Sequence, residues 1–67
     1  MEDKWEKVLK KEINELKKFV SEDPHSTKTM YQHGFVKGYV YSLYLEENIT
    51  LANWIYLNNC IDNIVFK

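Results

Sequence analysis

Apolar residues recur at helical spacing in three stretches of the chain. They predict helices over about 3–20, 28–47 and 51–66, an all-α three-helix domain with the middle helix antiparallel to both neighbours. In the first stretch Trp5, Val8, Leu9, Ile13, Leu16, Phe19 and Val20 form one stripe, opposite Lys4, Lys7, Lys10, Lys11, Asn14, Lys17 and Lys18. Glu12 interrupts the stripe. It sits either at the wet edge or buried against a partner such as Lys37, His33, Asn58 or a tyrosine hydroxyl.

The middle stretch is apolar on opposite faces. Met30, Gly34, Gly38, Tyr41 and Leu45 share one face and Val36, Val40 and Leu43 the other, the pattern of a helix sandwiched between neighbours. Each glycine inside a helix costs roughly 1 kcal/mol relative to alanine. Gly34-x-x-x-Gly38, extended by Ser42, therefore predicts close approach of another helix. That helix belongs to the same chain, to a second copy, or to a partner lying in the groove.

The third stretch has a core stripe of Trp54, Leu57, Ile61, Ile64 and Val65. A second arc, Leu51, Ile55 and Phe66, lies beside it, with Asn58 and Asp62 between the two. With Gly34 and Gly38, this second arc is the expected self-association surface of a homodimer. Thr50 reads as an N-cap, with Ile49 and Trp54 as a hydrophobic staple. Before the middle stretch, Pro24 breaks the pattern, and Asp23, Ser26 or Thr27 is the expected cap.

Composition narrows the picture. Sixty-seven residues make one domain near the lower limit for folding without staples, and one cysteine provides no internal disulfide. Ten aromatics supply buriable area instead. The charged start, Met-Glu-Asp-Lys-Trp, does not read as a signal peptide, and no apolar run approaches the ~20 residues of a membrane span. The lone Cys60 fits a reducing compartment, so a cytoplasmic protein without membrane contact is expected.

Candidate chemistry is sparse. His25 and His33 are isolated, Glu46 and Glu47 are neighbours rather than a facing pair, and no glycine-rich phosphate loop follows a strand. Neither metal, cofactor nor enzymatic activity is expected. All nine basic residues are lysine and the net charge is -1, so nucleic acid is a disfavoured partner. A helix-turn-helix reading would expose Asn53, Asn59 and Asn63, with no cation before Lys67. The tyrosine-rich surface points instead to protein contact. Tyr31, Phe35, Tyr39, Tyr56 and Asn59, with His33 and Lys37 beside them, are the expected partner-binding residues.

The stretch from His33-Gly-Phe-Val-Lys-Gly-Tyr-Val-Tyr through Asn48-Ile-Thr-Leu-Ala-Asn-Trp-Ile-Tyr-Leu57 resembles a helical hairpin of short phage and mobile-element proteins from low-GC Gram-positive bacteria. In those, a glycine-containing helix enters an Ile-Thr turn and the next helix opens with Trp or Tyr. The resemblance covers about the last half of the chain. It implies a small inhibitor, anti-CRISPR proteins among the type, that occludes a bacterial host or defence protein. Two alternatives stand beside it: a dimeric nucleic-acid-associated regulator using the helix-one lysines, and a self-assembling structural subunit.

Overall fold

A computed structural model describes residues 3–66. Met1, Glu2 and Lys67, which entered the reading of the N-terminal charge and of the last cation, lie outside them. The described residues form α1 (Lys4–Glu22), α2 (Thr27–Leu45) and α3 (Leu51–Val65). Local chemistry sets each boundary. The Asp3 backbone N–H donates to Glu6 Oε1 at 3.2 Å at the start of α1. Ser26 caps α2 by accepting from the Thr29 N–H at 3.1 Å, and Thr50 caps α3 by accepting from the Asn53 N–H at 3.1 Å.

α2 ends at Leu45, two residues before the sequence pattern suggests. Glu47 adopts φ 62°, and two hydrogen bonds close the turn: Asn48 N–H to Leu43 O at 2.9 Å and Glu47 N–H to Tyr44 O at 3.0 Å. This is a Schellman motif with glutamate where glycine is usual. Its bonds satisfy carbonyls that would otherwise be orphaned at the helix end.

Cross-helix contacts show the predicted antiparallel order. Gln32 meets Glu12 and Lys28 meets Phe19 across α1–α2; Tyr41 and Tyr44 meet Trp54, and His33 meets Asp62, across α2–α3. α2 is the central helix, and α1 and α3 touch each other more sparsely. One core draws on every element: Leu9 and Leu16, Val36, Val40 and Leu43, Ile49 from the turn, and Ile61. Trp54, Leu57, Ile64 and Val65 pack against it.

Two expectations need correction. α2 is not sandwiched all round: Met30, Tyr31, Phe35, Tyr41 and Leu45 are exposed. Three packed helices cover a central helix on two flanks and leave its outer side bare. Nor is there a close intrachain crossing at the glycines. A Cβ added at Gly34 or Gly38 would meet nothing within 4 Å, because both lie on that outer side.

Glu12 also finds a different partner from those expected. The Gln32 side chain donates from Nε2 to Glu12 Oε1 at 3.1 Å and to the Glu12 carbonyl at 2.9 Å. Asn58 instead donates to the Trp54 carbonyl of its own helix at 2.9 Å.

Candidate protein-binding surface

Tyr31, Phe35 and Tyr39 follow one another at i, i+4 and i+8 along the α1 flank of α2. Successive side chains at that spacing overlie each other. Phe35 and Tyr39 are stacked, with centroids 6.5 Å apart and planes inclined by 12°. Tyr31 is 73% exposed and Phe35 45%, whereas Tyr39 is half-buried against the core. The ridge is therefore anchored at one end and bare at the other. Beyond Tyr39 it opens into a shallow hollow of about 430 Å³, lined by Trp5, Val8, Asp3, Lys4 and Asn48. Contacts to α1 hold this flank in place. Gln32 binds Glu12, and Lys28 Nζ lies 4.8 Å from the centre of the Phe19 ring, a cation–π contact.

His33 and Lys37 lie on the other flank, in the seam with α3. His33 Nε2 is 2.9 Å from Asp62 Oδ1, and Lys37 Nζ is 3.1 Å from the same oxygen. The His33 ring also meets Phe66 edge-on at 5.4 Å. The His33 hydrogen bond, followed by that from Lys37, holds the Asp62 carboxyl below its ordinary range. Both expected partner residues are thus committed to an ion-pair node within the chain. Asp62, which the sequence pattern left between two apolar arcs, is the residue that ties them to α3.

Tyr56 falls on a third face. With Trp5, Leu9, Ile13 and Leu57 it lines a groove of about 330 Å³ between α1 and α3. Its phenol is pushed up from its ordinary value by hydrogen bonding to Cys60, one turn along the helix. Asn59 is exposed on the outer side of α3. The seven expected partner residues therefore do not form one surface. Tyr31, Phe35 and Tyr39 share the α1 flank of α2, whereas His33 and Lys37 converge on Asp62 in the α3 seam.

The His33–Asp62 pair has the form of a general-base dyad, with Lys37 as its third polar partner. The three serines act elsewhere: Ser21 on the Lys18 carbonyl, Ser26 as a cap and Ser42 on the Tyr39 carbonyl. Cys60 lies with Lys17, Val20 and Ile64 around a hollow between α1 and α3. Lys17 is a nearby cation that the local sequence around Cys60 does not reveal. Among the described residues no three His, Cys, Asp or Glu side chains gather as a metal site, and no helix is long and apolar enough to cross a membrane.

Sequence reasoning missed two positioning residues. Thr29 is fully buried, donating to the Asp23 carbonyl at 2.7 Å and hydrogen-bonded to Ser26 Oγ at 2.9 Å. It binds the α1–α2 turn to the first turn of α2. Gln32 is 7% exposed. Both lie at helical spacing from Val36 and Val40, so their position on the buried face was the available signal. Their polarity concealed it.

No family model, no curated protein and no solved structure matches the chain.

Proposed function

We propose that the chain is a non-enzymatic protein-binding module, a small phage-type inhibitor or regulator that covers the working surface of a bacterial host or defence protein in the cytoplasm. The observation supporting this reading is the Tyr31–Phe35–Tyr39 ridge beside the Trp5–Val8 hollow. Aromatic side chains that are already stacked lose little rotamer freedom on binding, and tyrosine is enriched where binding energy concentrates. The rim residues Asp3, Lys4 and Asn48 supply mixed polarity around an apolar centre, the usual anatomy of a protein interface. The mechanism is occlusion: the module docks its α1–α2 flank and excludes whatever the partner binds there.

The test is capture of a partner from a low-GC Gram-positive lysate by the wild-type chain, followed by titration of the purified pair. Phe35→Ala and Tyr31→Ala should each weaken binding by about 2 kcal/mol or more with the helical signal unchanged. Replacing Lys7, Lys11 and Lys18 together by Gln should alter association rate and salt sensitivity more than final affinity. The opposite pattern overturns the reading in favour of phosphate binding, where distributed lysines carry the free energy.

A further inference from the structure

A second apolar face runs along the outer side of α2 and the adjoining edge of α3. On α2 it comprises Met30, Tyr41 and Leu45 around Gly34 and Gly38; on α3 it comprises Leu51, Ile55 and Phe66. Tyr41 meets Trp54 of α3 at 5.6 Å and Phe66 meets His33 of α2 at 5.4 Å, so the two rows lie side by side. The six large side chains are between 47% and 70% exposed.

We infer that this face closes on a second copy of the chain, making a homodimer. Area is the first argument. At those exposures the six side chains present roughly 700 Å², above the 300–600 Å² of the largest patch on a typical monomer and close to the ~800 Å² per partner of a standard interface. Charge is the second. Asp62, the carboxylate on α3 beside Ile55 and Phe66, is already met by His33 and Lys37 of its own chain. A two-fold axis sets each patch against itself, and an apolar patch without uncompensated charge is self-complementary under that operation. A net charge of -1 adds little long-range repulsion between copies. Phe35 and Tyr39 lie on the α1 flank of α2 and stay accessible in the dimer, whereas Tyr31, seven residues before Gly38, borders the face.

Gly38 and Ile55 are the test positions. A Cβ at Gly38 meets nothing within 4 Å in its own chain, and Ile55 is 50% exposed, so Gly38→Leu and Ile55→Lys are expected to leave the helical signal of the monomer unchanged. Sedimentation equilibrium of the wild type, from low to several hundred micromolar, should show a mass rising from 8.1 kDa towards twice that value. Either variant should weaken dimerisation roughly tenfold or more, with an unchanged helical signal. A wild type that stays at 8.1 kDa throughout overturns the inference, as do dimers that both variants leave intact. The two readings fail separately. A monomer that still captures its partner through Phe35 retains the binding module and loses the dimer; a dimer whose capture ignores Phe35 does the reverse.

Discussion

The two sides of α2 are made of similar residues and have opposite fates. Thr29, Gln32, Val36, Val40 and Leu43 are buried, while Met30, Gly34, Gly38, Tyr41 and Leu45 face outward. The outer side is uniformly uncharged, and the inner side carries the polar Thr29 and Gln32. Apolarity alone thus does not say which side enters the core. What separates the sides is the match to α1 and α3. Compact β-branched and leucine side chains fit between two neighbouring helices, and the two polar groups on that side each find a partner at hydrogen-bonding distance. The outer side offers large rings around glycines, a shape that neither neighbour fills.

The largest effect should come from opening the buried side. Leu16 of α1 is fully buried in the shared core, so Leu16→Ala should cost about 2–5 kcal/mol in urea unfolding. Leu45→Ala, at a position 60% exposed, should stay within about 0.5 kcal/mol in dilute solution. Equal losses would mean that the outer side is packed even in the single chain.

Gln32→Ala should come next, at roughly 1–2 kcal/mol, because it removes both hydrogen bonds that the buried amide makes to Glu12. A neutral result would reduce Gln32 to a space-filling residue. On the outer side the sign should reverse: at concentrations where the chain is monomeric, Gly38→Ala should stabilise it by up to about 1 kcal/mol, since no neighbour opposes the new methyl group. The end of α2 provides a comparison belonging to neither side. Glu47→Gly should stabilise the fold by about 1 kcal/mol or somewhat less, by removing the side chain from a left-handed backbone position.

The smallest effect concerns the seam. Asp62 has a lowered folded-state pKa, so its contribution is fully present above its ordinary value near 3.8 and is lost as pH falls through the folded value. Above the ordinary carboxylate range the wild type should exceed Asp62→Asn in stability. That margin should shrink at lower pH, as followed by thermal melts. A margin unchanged down to pH 2 would show that Asp62 acts through shape rather than charge.

Much of the fold was legible in the residues. Thr50 caps α3 as its position before Leu51 implies, and Ile49 and Trp54 both reach the core cluster. The Trp54–Leu57–Ile61–Ile64–Val65 stripe packs inward, and Leu51, Ile55 and Phe66 remain outside. The candidate site was less legible. Tyr31, Phe35 and Tyr39 are linked by spacing within one helix, which sequence displays directly. Tyr56, Asn59, His33 and Lys37 belong to other faces, and spacing within one helix cannot report how two helices are rotated about each other. For the same reason, His33 and Lys37 looked like free surface until Asp62 arrived from another helix.

The residues by themselves determined three helices, the Thr50 cap of α3, the short connections and which stripe of α1 and α3 turns inward. Those properties depend on periodicity and on backbone chemistry within a few neighbours. Only the tertiary structure decided which side of α2 is covered, that Gln32 rather than a charged group meets Glu12, and that the glycines open outward. Each depends on the position of a second helix, and a helix that is apolar on opposite sides leaves that position undetermined until the packing of all three is fixed.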